Sequence, residues 1–110
     1  MFFSVKEIDA PQLVQWLEQE DVQVLDVREM REISQGTIEN ALFMPLATVP
    51  MRLQEINKEG TVVVICRSGA RSAQACMFLQ QNGFDNVHNL RGGVISWSQY
   101  SYPMVRPAVA

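Results

Sequence analysis

Short apolar runs alternate along the chain with stretches of helical, amphipathic spacing. Ser4-Val5-Lys6-Glu7-Ile8 predicts a short edge strand, and Asp9-Ala10-Pro11 supplies an N-cap and an early-turn proline for a helix. In that helix Leu13, Val14, Trp16 and Leu17 share one side while Gln12, Gln15 and Glu18 lie opposite, which assigns Trp16 to the core. Residues 22–27 predict a strand, residues 29–35 a short helix closed by Gly36, and residues 38–44 another strand. Thr48 as a cap and Pro50 in a first turn predict a helix running to about Asn57. Residues 61–65 are apolar or β-branched throughout, the pattern of a central strand buried on both faces. A helix over residues 72–82 presents Ala75, Cys76 and Leu79 inward and ends at Gly83. Residues 87–90 form the last predicted strand, and Arg91-Gly92-Gly93 leads into a final helix through Trp97.

Strands that alternate with helices imply α/β topology, a mostly parallel sheet with right-handed crossovers, and a site at the carboxyl ends of the strands. Residues 1–100 hold this pattern as one domain. Residues 101–110 carry two prolines and no periodicity. A frayed or extended tail is the default for such a segment, with packing back on the domain or on a second subunit left open.

Composition narrows the class. A chain of 110 residues with 47% hydrophobic and 19% charged positions supports a single globular core. A net charge of -3 and a pI near 5.0 argue against nucleic-acid or anionic-membrane partners. Met1-Phe2-Phe3-Ser4-Val5-Lys6 lacks the basic leader and long apolar run of a signal peptide, and no stretch is long enough to span a bilayer. Two cysteines without an export signal fit a reducing cytoplasm, the expected compartment.

The candidate chemistry lies in Cys66-Arg67-Ser68-Gly69-Ala70-Arg71-Ser72, where the central strand gives way to a helix. Free amide groups at a helix start, a nest of loop amides and the two arginines favour an anion there, so the Cys66 thiol is expected to ionise toward neutral pH. Gly69 permits positive φ. Asp26 and Arg28 at the end of the second strand read as a structural ion pair or loop support. Gly92 and Gly93 read as the place where a second backbone approaches the loop. Cys76, on an apolar helical face without a charged neighbour, reads as core filler. The single histidine, His88, alternates with Val87 and Asn89, so a surface or edge position away from Cys66 is expected.

At these residues the sequence resembles the rhodanese family of sulfurtransferases. CRSGARS is similar to the family's active-site loop, Leu25-Asp26-Val27-Arg28-Glu29 to its LDVRE strand end, residues 36–41 to its G-H-I-x-G-A turn, and Leu90-Arg91-Gly92-Gly93 with Trp97 to its closing L-x-G-G-x-x-x-W. Thr37 and Asn40 depart from the turn's usual histidine and glycine. The resemblance implies a three-layer sandwich with a five-stranded sheet and helices on both faces, present as one module. It also implies Cys66 as nucleophile, residues 67–72 (Arg67, Ser68, Gly69, Ala70, Arg71 and Ser72) as the donor cradle, and neither metal nor organic cofactor. The partners expected are a small anionic sulfur donor such as thiosulfate and a thiol or protein acceptor, with cyanide serving in assays. A monomer or weak homodimer is expected. Two other readings share the scaffold. One is a cysteine-dependent phosphatase or arsenate reductase, whose loops place five residues between cysteine and arginine where Cys66 and Arg71 enclose four; the other is a non-catalytic persulfide carrier or docking module.

Overall fold

Five parallel strands form one sheet, in the spatial order β1 (Lys6–Ile8), β5 (Val87–Leu90), β4 (Thr61–Ile65), β2 (Val22–Asp26) and β3 (Leu42–Phe43). The structure, a computed structural model, describes residues 4–107, so the reading of the first three residues as leaderless and the last three residues of the tail lie outside it. The helices are α1 (Ala10–Gln19), α2 (Met30–Ile33), α3 (Ala70–Gln81) and α4 (Gly93–Gln99).

β4 is central, and its alternation divides the core. Val62, Val64 and Cys66 pack with Ala75, Cys76 and Leu79 of α3 on one face, while Val63 and Ile65 pack with Leu13 of α1 and Val94 and Trp97 of α4 on the other. Period-two side-chain alternation in a strand covered on both faces is what an unbroken apolar run requires. The α/β three-layer architecture expected from the sequence is therefore the one present, and every strand pairing is parallel.

Several local expectations need correction. The region after Pro45 is two 3₁₀ segments, Leu46–Met51 and Leu53–Glu55, rather than a helix from Thr48 to Asn57. Pro50 has no N–H for an i→i−4 bond, and Thr48 spends its hydroxyl on the Pro45 carbonyl at 2.8 Å, so three-residue turns prevail. The strand expected over residues 38–44 shrinks to Leu42–Phe43 because Asn40 takes a left-handed φ of 66° and breaks the extended run. Helix α3 begins at Ala70, two residues earlier than expected, capped by Gly69. The helix expected over residues 29–35 covers only Met30–Ile33.

Trp16 packs against the core cluster but is only half-buried, and its ring meets His88 edge-on at 4.9 Å. His88 is half-buried on a strand inside the sheet rather than at its edge, and burial pushes its pKa down. The segment after α4 packs back on the domain: Trp97 Nε1 donates to the Pro103 carbonyl at 2.9 Å, and Thr37 and Val105 exchange two backbone hydrogen bonds at 2.8 Å.

Candidate functional site

The loop leaves the carboxyl end of β4 flanked by the ends of β2 and β5. Each neighbour contributes a brace. From β5, Gly92-Gly93 turns α4 directly onto the loop: the Val94 amide donates to the Cys66 carbonyl at 2.9 Å and the Ile95 amide to the Arg67 carbonyl at 3.1 Å. The otherwise unpartnered first-turn donors of α4 thus fix these two carbonyls, which holds the loop backbone while its following amides turn toward the cysteine. A Cβ built on Gly93 would lie 2.4 Å from both carbonyl oxygens, so glycine is required by contact as well as by its φ of 58°. This is the close approach expected of the glycine pair.

From β2, Asp26 is fully buried and accepts from the Arg28 side chain at 2.8 Å and the Thr37 hydroxyl at 2.7 Å. Arg28 also donates to the Gly36 carbonyl at 2.7 Å. Asp26 and Arg28 thus form a buried ion pair, and Thr37 serves as a hydrogen-bond donor to it where the family commonly has histidine. Together these bonds close the turn that carries α2 and its Glu32.

Cys66 is 1% exposed, with its sulfur facing polar donors rather than sealed in hydrocarbon. The Gly69 amide donates to Sγ at 3.1 Å and the Ser72 hydroxyl lies 3.3 Å away. Burial pushes the thiol pKa up, but the Ser72 hydroxyl and the amides of Ser72, Gly69 and Ser68 outweigh it, and the net direction is downward. Gly69 makes this possible with a φ of 106° that brings its N–H under the sulfur. Ala70 opens α3 at its exposed end.

The arginines contribute differently from what the sequence suggests. Arg71 makes a two-pronged ion pair with Glu32, both contacts at 2.8 Å. Arg67 is exposed and makes no salt bridge among the described residues. Hydrogen bonds from a hydroxyl and loop amides are thus the main causes that lower the thiol. Glu32 itself, held by Arg71, is lowered to about 2. A depressed acid stabilises the fold above its unfolded pKa and loses that contribution as pH falls through the folded value, so the pair persists across the neutral range.

Two residues that sequence reasoning did not single out complete the site. Glu32 is one; its signal was the spacing Glu29-x-x-Glu32 of a capping box, present here with the Glu29 amide donating to Glu32 at 3.0 Å. Asn89 is the other, a buried amide in a strand that is otherwise apolar on that face, and a buried polar group in such a place needs partners. Its Nδ2 donates to Glu7 and to the Gly69 carbonyl, both at 3.1 Å, which turns its Oδ1 onto the Ser72 hydroxyl. Ser72 has one proton for two acceptors. An ionised sulfur is the stronger acceptor, so the hydroxyl turns to Cys66 when the thiol ionises and to Asn89 otherwise.

Replacing Ser72 with alanine is expected to raise the pH midpoint of Cys66 alkylation. It also leaves Asn89 Oδ1 buried without a donor, at a cost of about 1–3 kcal/mol. A pH series of iodoacetamide rates and a denaturant melt on the same protein read the two effects separately; an unshifted midpoint removes Ser72 from thiolate stabilisation.

Cys76 is fully buried and its thiol is pushed up to about 12 by burial first and by the charges of Glu7 and Cys66 second. Both cysteines are free. Among the described residues there is neither a cluster of metal-ligating side chains nor a helix long and apolar enough to cross a membrane.

A five-stranded parallel sandwich with a cysteine at the start of an amide-lined loop defines the rhodanese fold and its site, and the chain belongs to the rhodanese-like domain family, whose model matches residues 9–100. It is 49% identical over 104 residues to a sulfurtransferase of Allochromatium vinosum, covering 94% of this chain and 97% of the relative. It is 30% identical over 96 residues to the thiosulfate sulfurtransferase GlpE of Shewanella oneidensis, covering 87% and 95% of the two chains. Among solved structures, a rhodanese-related protein from Thermoplasma volcanium superposes with a TM-score of 0.86 at 33% identity, covering 93% of this chain and 99% of that one.

Proposed function

We propose that this protein is a sulfurtransferase that carries a sulfane sulfur on Cys66. The Cys66 thiolate attacks the outer sulfur of a donor such as thiosulfate; the bond between the two donor sulfurs breaks, its electron pair leaves with sulfite, and Cys66 is left as a persulfide. A thiol, protein or cyanide acceptor then attacks the terminal sulfur and regenerates the thiolate. Loop amides hold the charge on the sulfur at each stage, and Arg67 meets the anionic donor. Arg28, Arg67, Val94 and Ile95 border a depression of about 430 Å³, which is assigned as the approach for donor and acceptor because Arg67 directly follows Cys66 in the loop. Family membership and the names of the relatives support sulfur transfer, and a cytoplasmic setting fits two unpaired cysteines.

The observation that carries the reading is the Gly69 N–H donated to Cys66 Sγ within a loop whose cysteine and second arginine enclose four residues. That bowl suits one sulfur atom, whereas a tetrahedral oxyanion needs a wider ring of amides. Thiosulfate-to-cyanide transfer is expected to outpace hydrolysis of an aryl phosphate in the same preparation. Cys66-dependent phosphate release faster than sulfur transfer sinks the reading in favour of a phosphatase.

A further inference from the structure

The charge around the cysteine is balanced in a way that bears on what it accepts. Arg71 lies in a two-pronged pair with Glu32 at 2.8 Å, and Arg28 in a buried pair with Asp26. Glu29, next to Arg28 in sequence, adds a carboxylate whose charge also acts on Arg71. Among the described residues around the loop, Arg28 and Arg71 are thus paired while Arg67 is not, and the three carboxylates Asp26, Glu29 and Glu32 balance the charge of the three arginines before the thiolate is counted. A doubly charged donor approaches a sulfur anion with only Arg67 left unpaired to attract it. The depression in front of the loop, about 430 Å³, is much larger than an oxyanion of a few heavy atoms, and Val94 and Ile95 give it an apolar wall, with Ile95 37% exposed.

We propose that Glu32 is the donor-specificity residue of this site: by holding Arg71 it tunes the cradle to a singly charged organic sulfane donor with an apolar portion, a thiosulfonate or persulfide, over the thiosulfate dianion. This rests on the sulfur-transfer reading above. Glu32 acts through Arg71 and is a positioning residue. With a thiosulfonate the Cys66 thiolate bonds to the terminal sulfur, the donor's sulfur–sulfur bond breaks, and its electron pair departs on the organic sulfinate. Overall charge is conserved, and no oxidant or reductant is consumed. The apolar group sits against Val94 and Ile95, and burial of its surface adds binding that thiosulfate does not have.

The test compares kcat/KM for thiosulfate and benzenethiosulfonate, with cyanide as acceptor. Intrinsic donor reactivity cancels when the ratio is compared between variants. Glu32→Gln keeps the Oε1 that accepts from both the Glu29 amide and Arg71 Nη1, but it puts an NH₂ group where Oε2 accepted from Arg71 Nη2 and removes the negative charge, which leaves the guanidinium charge uncompensated. Thiosulfate efficiency is expected to rise about tenfold and benzenethiosulfonate efficiency by clearly less, since a dianion gains more from one added positive charge. The double variant Glu32→Gln/Arg71→Gln restores the charge balance, and its donor ratio should return toward that of the wild type.

A merely structural role for Glu32 would lower both efficiencies together and leave the ratio unchanged, which overturns the proposal. Salt provides a check on the unaltered protein: thiosulfate efficiency should not fall as ionic strength rises, and a steep fall, the mark of an attractive cradle, also overturns it. If neither donor loads Cys66 in the wild type, the sulfur-transfer reading itself fails, a result separate from an unchanged ratio between two working donors.

Discussion

Cys66→Ser is expected to reduce sulfur transfer from thiosulfate to cyanide to the uncatalysed background, while Cys76→Ala retains it. Serine has nearly the same shape as cysteine and accepts the same Gly69 amide, so the fold should survive the substitution and the loss be chemical. Its hydroxyl is neutral at any pH the protein tolerates and forms no persulfide, so no lesser pathway remains. Cys76 offers the contrast within the same molecule. It packs against the same face of the sheet, but no amide faces it, and its thiol is pushed up to about 12. The difference between the two cysteines is the Ser72 hydroxyl and the peptide N–H groups turned toward Cys66, since both are buried. Full activity in Cys66→Ser, or its loss in Cys76→Ala with the melt unchanged, reverses the assignment.

Gly93→Ala is expected to be the most damaging single methyl in the chain. The added carbon meets two backbone carbonyl oxygens at 2.4 Å, and backbone braced by hydrogen bonds to Val94 and Ile95 has no way to yield without opening the active loop. Overpacking of about 1–3 kcal/mol and a left-handed φ costing about 1–3 kcal/mol for a side chain act together. A total of roughly 2–6 kcal/mol is a large share of the about 5–15 kcal/mol that holds a domain folded. Gly92→Ala is expected to be milder, because its added carbon meets the Ser96 side chain rather than backbone. Denaturant midpoints of the two variants give the ordering. Equal stabilities, or a wild-type-like Gly93→Ala, contradict the view that α4 clamps the loop through this contact.

The chain shows its fold readily because its strands and helices are covered by alternating and amphipathic patterns that need no distant information. Residues 61–65 read as a doubly buried strand and are one. The cysteine loop and the glycine pair were legible for the same reason, each being a local motif with a local job. What the sequence hid was pairing across distance. Glu32 and Arg71 are 39 positions apart, and nothing in either neighbourhood announces that one neutralises the other. Arg71 accordingly reads as free charge from sequence alone, and the share of the Ser72 hydroxyl in lowering the thiol, beside the expected loop amides, is visible only in the fold. Asn89 was passed over because a lone asparagine in a strand has no motif; its role appears only when Ser72, Gly69 and Glu7 are brought around it. The 3₁₀ segments after Pro45 and the broken strand at Asn40 are cases where one residue's backbone chemistry overrode a pattern spread over several.

The most direct test of a stabilised, sulfur-accepting thiolate at Cys66 is intact-mass measurement of the protein after brief treatment with a sulfane donor and removal of excess reagent. One added sulfur atom is expected, removed by dithiothreitol and mapped by peptide analysis to Cys66. A protein that gains no sulfur from any sulfane donor, or one whose added sulfur maps to Cys76, contradicts the account.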